Sequence, residues 1–191
     1  MPAVDIPGFV TDLKAHAVEH GFHIHAERHF VETYSLGQTW EVELHPEEAC
    51  GGPLDLHMTL EIDPRLLLSF EDEIVERDGE VADLTEPFLL PIYFNWALPP
   101  LNHPPDLLVL ATELAGVGGA ELPLEVSAID SFASVTDAPR RSLSIVAGVQ
   151  VPLAEAYLGG QVPCEVMDRC HAVSEFILQK SPDWLDSSEM E

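Results

Sequence analysis

Basic residues are scarce in this chain: 8 Lys and Arg stand against 34 Asp and Glu in 191 residues, a formal net charge of −26. Nucleic-acid binding needs a cationic footprint to release phosphate counterions, and the composition does not provide one. Attachment to an anionic membrane surface is disfavoured on the same ground. Cysteine is sparse as well. Cys50, Cys164 and Cys170 form neither an even disulfide framework nor a zinc-type cysteine pair, which points to a reducing cytoplasm. No apolar run approaches the roughly 20 residues that cross a bilayer. No basic segment followed by an apolar stretch opens the chain, so no signal peptide is expected. Phosphate-loop and nucleophile-elbow strings are missing too, and Gly116 to Glu121 puts a glutamate where the third glycine of a dinucleotide fingerprint belongs.

With 46% hydrophobic residues, the chain can bury a full core, and its length favours one domain over residues 1–191. The pattern predicts an α+β fold with a mainly antiparallel sheet of about six to seven strands, an N-terminal helix, a short middle helix and a C-terminal amphipathic helix. Asp5 and Pro7 open the first helix and Gly21 closes it. Pro64 begins the middle one. An acidic segment over residues 71–86 runs over the surface and separates two candidate halves, 1–75 and 88–180. Pro91 argues that the aromatic strand around Phe94 and Trp96 is an edge or a strand start. Later strands are expected at 107–113, 122–129 and 143–151, with a turn at 116–119. In the last helix Val166, Cys170, Val173 and Ile177 recur at helical spacing. Residues 182–191 form an acidic tail that frays.

Between residues 22 and 63 the chain alternates in period two, as strands with one buried face do. Phe22, Ile24, Ala26, Phe30, Trp40, Val42, Leu44, Leu56, Met58 and Leu60 share one side, with Arg28 as the exception. His23, His25, Glu27, His29, Glu41, Glu43, His45, Asp55, His57 and Glu61 gather on the other. A three-residue hairpin loop at residues 35–37, with Gly37 left-handed, sets His29 opposite Glu43 and Glu27 opposite His45. A matching register for the third strand places His57 opposite Glu43, giving one row of His29, Glu43 and His57.

Imidazole and carboxylate on one face suit a divalent ion such as zinc or manganese. The candidate metal residues are therefore His29, Glu43, His57, His23, His25 and His45. The bland alternative is a solvated face on which histidines pair with carboxylates. His16-Ala17-Val18-Glu19-His20 fits the H-x-x-E-H string and so resembles the inverzincin metallopeptidases, in which two helix histidines bind zinc and the glutamate is the base. A third ligand cannot be identified in sequence, and the structural alternative puts His20 at the core edge with His16 and Glu19 facing solvent.

Two functions follow as expectations. The first is a non-enzymatic cytoplasmic binding or adaptor protein, needing no cofactor, whose acidic surface meets a basic or amphipathic protein or peptide. Val166, Val173, Ile177 and Trp96 are its candidate partner-binding residues, with core packing as their alternative. In size, acidity and helix-strands-helix order the chain resembles small acidic chaperones related to bacterial secretion chaperones and YbjN proteins, a resemblance that implies peptide binding and a homodimer. The second is a metal-binding protein, or a metal-dependent hydrolase, centred on the histidine face.

Overall fold

The computed structural model describes residues 4–77, 80–81, 88–132, 134, 139–160 and 162–185. Its frame is a six-stranded antiparallel sheet in the order β1-β2-β3-β4-β6-β5, formed by β1 (Phe22–Val31), β2 (Gln38–Pro46), β3 (Asp55–Ile62), β4 (Leu89–Ala97), β5 (Leu124–Ser131) and β6 (Arg140–Pro152). The helices are α1 (Ile6–Glu19), α2 (Pro64–Glu76), α3 (Leu107–Gly118), α4 (Leu153–Tyr157) and α5 (Cys164–Trp184). No helix among the described residues is long and apolar enough to cross a membrane.

Alternation builds the core directly. Trp40, Val42, Leu44, Leu56, Met58, Leu60, Ile92, Phe94, Trp96, Ile145 and Ala147 are all buried. The residues between them on β2 to β4, including Glu41, Glu43, His57, Thr59, Tyr93 and Asn95, are half-buried. α5 closes the core side: Trp96 Nε1 donates to Ser174 Oγ at 2.8 Å, and that hydroxyl donates in turn to the Cys170 carbonyl at 2.9 Å. Val166, Val173, Ile177 and Trp96 are thus enclosed by the chain's own core and present no surface to a partner.

The helix starts follow local chemistry. Asp5 accepts from the Gly8 amide at 2.9 Å, Asp63 from Arg65 at 2.8 Å, and Asp106 from Leu108 and Val109 at 2.9 and 3.0 Å. The last of these caps a helix where a strand is expected over 107–113. Leu110 and Leu114 face the core at helical spacing, while exposed Leu108 and Val109 fill the outer side with apolar residues and so hide the period. The expected turn at 116–119 is mostly the end of this helix.

Several other expectations are corrected. β4 is central, not an edge, yet its last β3 partner is Ile92, so Pro91 lies just beyond that ladder. β3 and β4 pair directly, so one sheet runs through both candidate halves. Residues 71–76 of the acidic segment belong to α2, whereas 78–79 and 82–87 lie outside the described residues. The expected tail begins inside a helix: α5 runs to Trp184, which is buried. Ser181 Oγ donates to the Leu178 carbonyl at 3.1 Å, the acceptor that Pro182 leaves without an amide donor. Residues 186–191 lie outside the described residues.

Candidate cysteine–histidine centre

The site is built by an irregularity in β1. Phe22, His23 and Ile24 pair with Pro46, His45 and Leu44, but Ala26 then pairs with Glu43, leaving His25 as the inserted residue of a β-bulge. One extra residue reverses the facing of everything after it. Ala26, Arg28 and Phe30 turn to the side of Glu43, Glu41 and Thr39, while Glu27, His29 and Val31 turn to the side of Val42, Trp40 and Gln38.

The expected row is broken accordingly. His29 lies opposite Trp40, on whose indole it stacks with ring centroids 3.7 Å apart, and its Nε2 lies 3.0 Å from Gln38 Oε1. Glu27 lies opposite Val42 rather than His45, and its carboxylate meets Lys14 of α1. Arg28, the misfit of the alternation, takes Glu41 as its partner at 3.3 Å on the polar side. The hairpin loop is also longer than expected: Val31 and Gln38 close it, and the left-handed residue is Leu36, with φ 59°, not Gly37. Glu43 does lie opposite His57, as the matching register requires, although His57 Nδ1 reaches Glu41 Oε1 at 3.1 Å.

At the other end of β1, the bulge brings His25 against His45, with ring centroids 4.3 Å apart. His45 is buried, its Nε2 lies 3.2 Å from Glu43 Oε1, and its Nδ1 has no hydrogen-bond partner among the described residues. The connection after β2 supplies a thiol. Glu47–Ala49 form a single 3-10 turn and Gly51 takes φ 86°, a conformation open to glycine, so that the chain doubles back at Cys50. Cys50 Sγ then lies 3.0 Å from His23 Nδ1 and 3.5 Å from His25 Nε2. Glu47 Oε1 stands 3.5 Å from the opposite nitrogen of His23.

Two overlapping three-ligand sets result, His23/His25/Cys50 and His25/Glu43/His45, each with its ligand atoms within 4.8 Å of one another. His25 belongs to both. Four of the six metal residues expected from sequence, His23, His25, Glu43 and His45, are therefore brought together, whereas His29 and His57 are not. The thiol is the residue that sequence reasoning missed, since Cys50 has no neighbouring cysteine to announce it.

Chemically, a thiol against an imidazole can bind a soft or borderline cation or act as a nucleophile and base. Acyl transfer needs an enclosed, water-poor oxyanion site. His23 and Glu47 are about half exposed, at 52% and 53% of their side chains, which suits coordination better. The third thiol, Cys170, is inert by comparison, because burial pushes its pKa well up.

The H-x-x-E-H string also takes a definite form. His16 is buried rather than solvent-facing, at 2% exposure, while Glu19 is exposed and His20 half-buried, its Nδ1 2.7 Å from Asp168 Oδ1 of α5. No protein family, curated protein or solved structure gives a significant match to the chain.

Proposed function

We propose that the protein binds a borderline divalent cation, zinc before manganese, at the Cys50 centre. The contact of Cys50 Sγ with both His23 and His25 carries this reading, because thiolate and imidazole together select zinc-class ions over the oxygen-seeking ones. The net charge of −26 supports it by concentrating cations around the chain. The exposed His23, His25 and Cys50, and two alternative sets sharing His25, suit an ion that is taken up and released, as in capture or transfer. A reducing cytoplasm keeps Cys50 a free thiol, and this reading places the protein there.

Elemental analysis and zinc titration of protein purified without affinity metal test the reading. His25→Ala should remove one equivalent of bound zinc while the circular dichroism stays native. Equal zinc in the two proteins would overturn it.

A separate observation favours peptide binding as a second reading, moved from α5 to the tip of the first hairpin. An open groove of about 710 Å³ there is lined by apolar Phe30, Val31, Ile62 and Pro91 and by three carboxylates, Glu32, Glu61 and Asp63, against one cation, Arg65. Phe30 and Val31 are exposed in it, and Tyr34 and Leu36 are exposed on the hairpin loop. An apolar lining with a net excess of carboxylates fits a basic amphipathic peptide lying along the β1 edge. A labelled peptide of that kind should raise its anisotropy with the wild type and lose this with Phe30→Asp; equal binding to both would sink the idea.

A further inference from the structure

α1 and α5 bring together a second set of ligands, independent of the strand cluster and far apart in sequence. His16, in the last turn of α1, and His20, the residue that caps its C-terminus, lie four residues apart, with ring centroids 4.5 Å apart at 67°. Cys164, the first residue of α5, adds its thiol, and one ligand atom from each of the three lies within 4.8 Å of the others.

Two features distinguish this set from a chance meeting of side chains. The first is His16, a polar ring at 2% exposure in which neither nitrogen has a hydrogen-bond partner among the described residues. Burying a polar group unpaired is costly, and such groups in native proteins are satisfied by something. Glu19 Oε2, at 3.8 Å from Nδ1, is too distant for a hydrogen bond. The second is Asp168. It holds His20 Nδ1 at 2.7 Å, which fixes the ring and leaves Nε2 as the nitrogen available to an ion. A carboxylate on the far nitrogen is the usual support of a metal-bound imidazole. Cys164 is exposed and opens the set to solvent, so an ion has a way in.

We infer that His16, His20 and Cys164 form a second metal site, taking a zinc-class cation that pins α1 to α5, with Asp168 positioning His20. Binding converts the Cys164 thiol to thiolate and releases its proton to solvent. Water completes the coordination sphere. Glu19 lies outside it as an exposed surface carboxylate, so the site ties helices together and does not reproduce the peptidase arrangement that its string resembles.

Cobalt(II) reads the site directly, because a thiolate ligand gives a charge-transfer band and a tetrahedral ion gives intense visible d–d bands. The test uses the full chain with Cys50→Ser, which removes the thiol of the strand cluster. Cobalt added to this variant should produce both bands at one equivalent, and Cys50→Ser/Cys164→Ser should lose the thiolate band. Asp168→Asn in the Cys50→Ser chain should weaken cobalt binding about 10- to 100-fold without removing the band at saturation. Cys164 and Asp168 are surface residues, so these variants fold even if a His16 substitution does not. No thiolate band in Cys50→Ser, or an undiminished one in the double variant, would overturn the proposal. The strand cluster is read separately in Cys164→Ser, so either site can fail alone.

Discussion

The strand cluster and the helix cluster offer an ion the same chemistry, one thiol with imidazoles, on different scaffolds. Around Cys50 the ligands are numerous and already engaged with one another: Cys50 with His23, and His45 with Glu43. A cation entering there must replace contacts that neighbouring side chains already supply. Around Cys164 the ligands are fewer, but among the described residues neither nitrogen of buried His16 has a hydrogen-bond partner, whereas His45 in the strand cluster leaves only Nδ1 so; His20 is held by a carboxylate. An ion entering there ends an unmet need. Ligand surplus favours exchange, whereas an unsatisfied buried donor set favours retention, so the helix site should hold its ion more tightly and release it more slowly.

The largest test of that contrast is His25→Ala, which strikes both strand sets at once and should lower strand-site affinity by about a hundredfold or more. Cys50→Ser leaves His25, Glu43 and His45 in place and should cost only about 10- to 100-fold, by analogy with losses at metal sites. Competition with a chromophoric chelator measures both. Equal losses would show that the two sets do not back each other up.

Next in size is thermal stability. An ion at a hundred times its dissociation constant adds about 2.7 kcal/mol, or roughly 5–10 °C in a chain of this size. At one limiting zinc concentration Cys50→Ser, which retains the helix site, should gain more than Cys164→Ser, which retains the strand site. The reverse order, by scanning calorimetry, would break the contrast.

Thiol alkylation sharpens it residue by residue. Cys50 and Cys164 should react in the metal-free protein while buried Cys170 stays silent in the native state, since burial raises its pKa and blocks access. Zinc should slow both reactive thiols, and in His25→Ala it should protect Cys164 alone, as peptide mapping would show.

The smallest effects concern the two glycines that shape the clusters. Gly51→Ala and Gly21→Ala each force a left-handed backbone on alanine, φ 86° and 83°, at about 1–2 kcal/mol by denaturant titration. Gly51→Ala should also weaken the strand site severalfold by moving Cys50. Gly21→Ala brings a Cβ to 3.2 Å from His171 Nε2 and, beside His20, should weaken the helix site severalfold while leaving the Cys164 thiolate band at saturation.

Much of the fold could be read along the chain, because period-two alternation, Asp caps and proline starts are local. The strands from residue 38 onward, apart from the helix that replaces the one expected at 107–113 and the central place of β4, and the helix starts at Asp5 and Pro64 follow from such signals. Two failures were local as well. Arg28 on an apolar side was the mark of the bulge, and Asp106 after Pro105 was the cap of α3, but in each case an apolar-rich neighbourhood outweighed one polar residue. The candidate sites were legible only in part for a different reason. His23, His25, Glu43 and His45 sit on adjoining strands, so pairing brings them close. Cys50 depends on a loop that reverses direction, and Cys164 meets His16 only after α5 packs across the sheet. No pattern within a strand or a helix records those approaches.

The inserted residue in β1 acts as a phase shift within a single strand. Before His25 the strand gives apolar residues to the helices and imidazoles to the open side; after it, Glu27 and His29 go to the helix side, and Arg28 and Phe30 to the open one. One strand thereby supplies a ligand cluster at its start and a salt-bridged, partly apolar rim at its end, each with its own composition. Evolution could tune either surface without disturbing the other, since a substitution on one side of the shift leaves the facing of the other side unchanged.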